Sequence, residues 1–243
     1  MSIADKLEAV ADVVYEKGRQ AQKEEFWEQF LAPMNRGVDC PNFFCGTGWN
    51  THTFYPTRDI RPRGSMANMF NYFSQHVTPY MDMAERLKEC KVTFDTSNAT
   101  NFTMTFAYCY VTRLPKITII KGMSLDRTFL NSSSLVTIDE LQLRGQEEIN
   151  AGMSFNTFGS GTTIAFGGCT ALMNITITGI IGNSISFANS SKLTTESLDS
   201  IVRALQQLES GVTAKTLTLH ATVKANMTDT QKAIIQEKGW TLA

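Results

Sequence analysis

The stretch FGGCTALMNITI, residues 166–177, decides how the middle of this chain is read. Phe166, Cys169, Leu172 and Ile175 fall three apart and Ile177 follows two later, so a turn-like spacing gives way to the period-two alternation of a strand. Alternate strand residues share a face, so Ile175 and Ile177 point the same way, inward. The frame recurs as Phe129-x2-Ser132-x2-Leu135-x2-Ile138 and as Phe187-x2-Ser190-x2-Leu193. A looser copy opens with Phe106-x2-Cys109 and reaches its leucine late, at Leu114, before Ile117-x-Ile119. The candidate strands are Val92-x-Phe94, Ile117-x-Ile119, Leu141-x-Leu143, Ile175-x-Ile177 and Leu217-x-Leu219. A unit this short cannot bury its apolar side alone, so neighbours must stack above and below it. The expected repeat core is Phe106, Cys109, Phe129, Leu135, Phe166, Cys169, Leu172, Ile175, Ile177, Phe187 and Leu193.

Outward from this stretch the chain is poor in charge. Residues 93–193 hold 12 of the 45 charged side chains, and from Ile149 to Ser191 there is no charged residue or histidine. Asn, Thr, Ser and Gly interrupt that segment every few residues, which excludes a membrane span and predicts packed β-structure without membrane insertion. The 29 threonines, 17 serines and 14 asparagines put neutral polar groups where charge would otherwise stand. A net charge of −1 gives no electrostatic reason to expect nucleic acid or an anionic membrane as partner. With 243 residues, one or two domains with a sizeable core are expected. Five cysteines without framework spacing predict reduced thiols.

Residues 1–32 read as an N-terminal helical segment. Ile3, Leu7, Val10 and Val14 recur at spacings of four and three, one helical stripe suited either to self-association as a homo-oligomer or to docking on the protein's own body. Phe26, Trp27 and Phe30 give the following helix an aromatic face before Pro33 ends it. Residues 33–91 form an aromatic loop region with a helix at about 79–90, residues 92–193 the repeats, and residues 194–243 a C-terminal cap. In the cap, Thr194 or Thr195 starts a helix with Leu198, Ile201, Val202, Leu205 and Leu208 on its apolar face. TLTLH (216–220) adds a strand, and residues 228–239 read as a capped helix stopped by Gly239.

The strand intervals from Phe94 to Ile119 to Leu143 are 25 and 24 residues, within the range of leucine-rich repeats. The Phe-x2-Cys/Ser-x2-Leu-x2-Ile unit resembles the BspA-like class of bacterial leucine-rich repeat. The run from KLTTESLDSIVRALQQL to DTQKAIIQEKGWTLA, and the opening MSIADKLEAV through EEFWEQF with the later GWN, FYP and DI elements, are similar to leucine-rich-repeat proteins encoded in phage and prophage tail modules of Gram-positive gut bacteria. The departures are the late Leu114, the extra residues between Ile138 and Leu141, and an insertion at 145–163. The expected fold is α+β: a leucine-rich-repeat, BspA-like β-solenoid with N-terminal helices and a helix-containing C-terminal cap. The resemblance implies a non-enzymatic phage tail or virion-associated structural or adhesion protein presenting a leucine-rich-repeat surface. Its partners would be other virion or tail proteins or a bacterial surface component, with no cofactor. No secretory signal is readable at the N-terminus, which predicts a protein made and kept, or assembled, in the cytosol, and the resemblance implies synthesis in the bacterial cytoplasm and a place in the virion tail. The alternatives are a tail-associated glycan-degrading enzyme and a cytosolic protein-interaction module.

Chemical motifs are sparse. Cys40-x4-Cys45-x6-His52 lacks the spacing and the fourth ligand of a closed zinc site. His76 and His220 have no nucleophile pattern near them, and Gly159-x-Gly161 and Gly167-Gly168 read as turns rather than phosphate loops. The neighbouring carboxylates Asp139/Glu140 and Glu147/Glu148 would point to opposite faces of a strand, which argues against a glycosidase pair. Arg58, Arg61 and Arg63, close to Phe54 and Tyr55, could grip a phosphate or a base, but Asp59 sits among them.

Overall fold

A computed structural model describes residues 54–74, 79–120, 125–144 and 165–243, together with positions 17, 18, 20, 21, 24, 25, 28, 29, 31, 32, 35–37 and 44–46. The stripe of Ile3, Leu7, Val10 and Val14, the aromatic face of Phe26, Trp27 and Phe30, and the insertion at 145–163 lie outside these residues.

Phe129 sits between two left-handed residues, Arg127 (φ 53°) and Asn131 (φ 56°), and the same arrangement frames Phe70 (Asn68 and Tyr72) and Phe106 (Met104 and Tyr108). Alternating handedness flattens each turn, so that every second N–H leaves it in one direction. The amides of Met104, Phe106 and Tyr108 donate to the carbonyls of Asp126, Thr128 and Leu130 at 2.9, 2.8 and 2.7 Å, and those of Asn68, Phe70 and Tyr72 donate in the same way to residues 103, 105 and 107. Turns stacked by these bonds carry their rings into register. Phe44, Phe70, Phe106, Phe129 and Phe166 stack in sequence at centroid distances of 5.0, 5.2, 5.9 and 5.0 Å, and Phe187 follows, tilted, at 4.6 Å. All six rings are fully buried, each contributing about 1.5–3 kcal/mol of transfer free energy.

After Phe129, Phe166 and Phe187 the small residue three places on is a donor as well as a filler. Ser132 Oγ donates to Phe106 O (2.6 Å), Cys169 Sγ to Phe129 O (3.0 Å) and Ser190 Oγ to Cys169 O (3.1 Å), each reaching into the preceding turn. A buried carbonyl left without such a partner would cost about 1–3 kcal/mol. At Gly168 (φ +73°) a Cβ would lie 2.2 Å from Asn131 Oδ1, so the left-handed position filled by Asn131 in the previous turn admits only glycine here.

Beyond the turns the chain enters strands. Strands β1 (Met81–Asp82), β2 (Val111–Leu114), β3 (Ile117–Ile120), β4 (Thr137–Arg144) and β5 (Asn174–Gly179) form a parallel five-stranded sheet of order β1-β2-β4-β3 with β5 also on β4. Their buried residues, among them Val111, Leu114, Ile117, Ile119, Leu141 and Ile177, meet the phenylalanine row in one core. A second parallel sheet comprises β6 (Ile185–Phe187), β7 (Thr216–Leu219) and β8 (Thr241–Leu242). Helices described from end to end are α1 (Met83–Glu89), α2 (Thr195–Ala204), α3 (Ala221–Ala225) and α4 (Asp229–Glu237), and the described positions between 17 and 35 are helical as well. Among the described residues no helix is long and apolar enough to cross a membrane.

This architecture corrects the expected fold. It is a parallel-sheet half-barrel with few helices, α/β-like, and not an α+β leucine-rich-repeat β-solenoid. A solenoid of that class stacks like strands in chain order, one per repeat. Here β4 takes β2 and β3 one after the other along one edge, pairing Arg113 with Thr137 and Ile117 with Leu141, while β5 takes the other edge. Strands run from two to eight residues, and the chain then opens a separate sheet. The physical reason lies in what the frame encodes. Three-residue spacing specifies a turn that stacks on another turn; it does not specify strand length or how many strands one neighbour carries. Pro115, without an N–H, separates β2 from β3. Val92 and Phe94 form no strand, only an isolated bridge between Phe94 and Ile60.

Local end signals hold where their hydrogen bonds form. Thr194 caps α2 through Ser197 N–H, and Thr228 with Gln231 makes a reciprocal capping box on α4. Helix α2 stops at Ala204, before the expected Leu208, because Leu205 turns extended (ψ 134°). The helix expected at 79–90 begins only at Met83, capped by Asp82. Two serines of α2 also finish the β5 edge: Ile175 N–H donates to Ser197 Oγ (2.9 Å) and Ile177 N–H to Ser200 Oγ (3.2 Å), while both hydroxyls donate back to β5 or the residue before it. The edge is thus closed to a further strand.

Candidate functional site

The repeat-core residues are structural. Phe106, Phe129, Leu135, Phe166, Cys169, Leu172 and Phe187 are fully buried, Cys109, Ile175 and Ile177 nearly so, and Leu193 is half-buried against the same core. Burial pushes the Cys169 thiol up to about 12 and that of Cys109 higher still, so neither supplies a thiolate nucleophile. Cys45, Cys90, Cys109 and Cys169 are free thiols. Among the described residues no group of three or more His, Cys, Asp or Glu is placed to hold a metal. Cys40, His52, His76, Glu147, Glu148, Gly159 and Gly161 lie outside the described residues. His220 caps α3, its Nδ1 accepting Thr222 N–H. Gly167 and Gly168 belong to the Phe166 turn.

The outer face of the five-stranded sheet carries the polar side chains. On β4 the inward residues are Ile138, Leu141 and Leu143, so the inward step changes parity between Ile138 and Leu141, where the pairing with β5 shifts register. This bulge brings Asp139 and Glu140 to the same polar face, correcting the expectation that adjacent carboxylates diverge. Asp139 Oδ1 accepts from Arg113 Nε at 2.6 Å. Glu140 accepts from Thr178 Oγ1 (2.6 Å) and pairs with Lys116 Nζ (2.9 Å). The Thr178 hydroxyl and the Lys116 ammonium hold the Glu140 carboxyl below the usual range, and Asp139 raises Arg113. A glycosidase needs one carboxyl held protonated at working pH. Glu140 is tuned the opposite way.

Next to these pairs an open groove of about 640 Å³ runs between β2, β4, β5 and the start of α2. Beyond the Arg113–Asp139 pair its lining is largely neutral: Thr137, Asn174, Thr176 and Thr194, with Glu196 at the helix end. Asn174 Nδ2 donates to Thr137 Oγ1 across the strands at 3.4 Å. The residues just before the strands add apolar surface: Tyr80 and Met173 are each 37% exposed, and the Tyr80 ring meets Tyr110 at 5.7 Å. Neither the bulge nor the groove was marked by sequence motifs; alternating Thr and Asn in NITIT (174–178) was the one available signal. Compared with known proteins, the chain matches no family model, no curated protein and no solved structure.

Proposed function

We propose that the protein is a non-enzymatic binding protein whose working surface is the outer face of the five-stranded sheet around the Arg113–Asp139 pair. The observation that carries this reading is the composition of the groove. Its strand charges are paired, so hydroxyl and amide groups are left to meet a partner, with exposed Tyr80 and Met173 nearby to bury. Such a surface suits a large neutral or weakly charged partner better than a small substrate needing acid–base chemistry. The setting we propose is a phage tail or virion, made in the bacterial cytoplasm, with other tail proteins or a bacterial surface component as partner. That part rests on the resemblance of the two chain ends.

The test uses the full chain and its Thr176→Arg variant, which places a cation in the groove from a solvent-exposed position. Wild type is expected to adsorb to host cells or to purified virion proteins, and the variant to lose about tenfold in affinity. Mass spectrometry of purified virions should find the protein. Equal adsorption by the variant, absence from virions, or new reducing ends released from cell-wall polysaccharide would each overturn a part of the reading: the surface, the setting and the non-enzymatic role in turn.

A further inference from the structure

On the side of the molecule that carries Arg58, Arg61 and Arg63, the fold adds Lys91 and makes a cleft of about 490 Å³. Its wall is fixed by backbone hydrogen bonding. Asn35 Nδ2 donates to Asp59 O (2.9 Å) while Asn35 Oδ1 accepts Arg61 N–H (2.7 Å), and Asp59 Oδ1 accepts Thr93 N–H (2.7 Å). Between these, Ile60 is fully buried and bonded to Thr93 O and Asp95 N–H. The cations are therefore presented from a rigid strip. Arg58 pairs with Glu28, and Arg61 pairs with Asp59 at 2.5 Å. Arg63 and Lys91 have no ion-pair partner among the described residues. Two uncompensated positive charges in one cleft stand out on a chain of net charge −1. Thr57, on the same wall, has a buried hydroxyl oxygen with no hydrogen-bond partner among the described residues.

We propose that this cleft binds a phosphate group. The Arg63 guanidinium fork beside the Lys91 ammonium suits a tetrahedral oxyanion with several acceptor oxygens, and the Thr57 hydroxyl supplies a further donor. Neither of the two neighbouring rings is open to a base: Phe54 is fully buried and the Tyr55 ring is covered by the Arg86 guanidinium at 4.4 Å. The ligand is thus recognised by its phosphate, as a free anion, a monoester or a diester. The site is independent of the sheet groove and of the function proposed for it.

Isothermal titration of the full chain at constant ionic strength tests this with inorganic phosphate, glycerol phosphate and dimethyl phosphate as probes. At least one is expected to bind with a millimolar or tighter dissociation constant, and the tightest identifies the source as free anion, monoester or diester. The Arg63→Gln and Lys91→Gly double variant is expected to weaken that probe about tenfold or more at unchanged melting temperature. Lys91→Gly also serves alone, because Lys91 is exposed and left-handed (φ 56°), so glycine relieves backbone strain while removing the charge. No heat from any probe up to about 50 mM, or wild-type affinity in both variants, would overturn the proposal.

Discussion

The bonds that tie one stacked turn to the next, between Phe44 and Phe187, and the bonds that start the helices of the C-terminal segment, from Thr194 to Ala243, are of opposite range. From turn to turn, the side-chain hydrogen bonds to buried carbonyls span 21 to 40 residues of chain. In the C-terminal segment the bonds that start α2 and α4 span three residues. Long-range contacts close only when the whole stack is in place, whereas a cap forms with its own helix. The stacked turns should therefore fail as a unit, whereas loss of one cap should be felt at its own helix, which long-range bonds such as Lys238 Nζ to Arg203 O still tie to α2.

The largest effect should come from Phe129→Ala. Phe129 is stacked on both sides, by Phe106 and Phe166, and is fully buried. The loss should be about 3–5 kcal/mol in urea denaturation, with hydrogen-exchange protection falling across the sheet from β2 to β5. A loss under about 1 kcal/mol would mean that the rings are not a cooperative stack. Thr228→Ala removes one half of the α4 capping box and should cost about 1 kcal/mol, with faster exchange confined to Asp229–Glu237. Were the sheet amides to exchange faster as well, the contrast between the two regions would collapse.

The same contrast governs what could be read from the chain. Thr194, Thr228 and Gly239 mark helix ends because each acts on residues within one turn, and α2 and α4 begin where those residues place them. The Phe-x2-Cys/Ser spacing marks burial for a similar reason, since ring and small residue sit in one turn. Strand order is set by partners far along the chain, and nothing in the spacing of Leu114, Pro115 and Ile117 says that β2 and β3 share one edge of β4. Phe44 and Phe70 belong to the same ring column but escaped notice, because Phe73 stands where Cys or Ser would complete the frame after Phe70. The polar groove was hidden by the bulge at Asp139 and Glu140, which reverses the facing that period-two alternation assigns. The basic cleft was half legible: three arginines lie together in sequence, but Lys91 arrives only through the fold.

The smallest effect is one of pH, and it separates the regions by sign. Among the described residues, the carboxylates held below their ordinary range lie in the first region: Asp59 by the Thr93 amide, Asp95 by Ser97, and Glu140 by Thr178 and Lys116. A carboxyl whose folded pKa is depressed stabilises the fold above its unfolded value and loses that contribution as pH falls through its folded value. Glu140 should therefore give its full contribution above about 4.5, its ordinary value, and lose it progressively below. In the C-terminal segment the displaced groups are Lys215 and Lys238, both lowered by burial. Lys238 Nζ donates to the carbonyls of Arg203 and Leu205 at 2.6 Å, at the end of α2. A lysine with a depressed folded pKa makes the fold more stable as pH rises from that value towards its unfolded one, so acid leaves this contribution unchanged. Half-exposed ion pairs are worth about 0.2–1 kcal/mol, so the measurement should be a difference. Glu140→Gln is expected to be less stable than wild type at pH 7, with the gap closing below pH 4.5. Acid should lower exchange protection, measured against the intrinsic rate at each pH, in β4 and β5 before it does so in α4. A gap between Glu140→Gln and wild type that stays constant down to pH 3 would show that Glu140 acts through packing, and the charged face would then add nothing to the difference between the two regions.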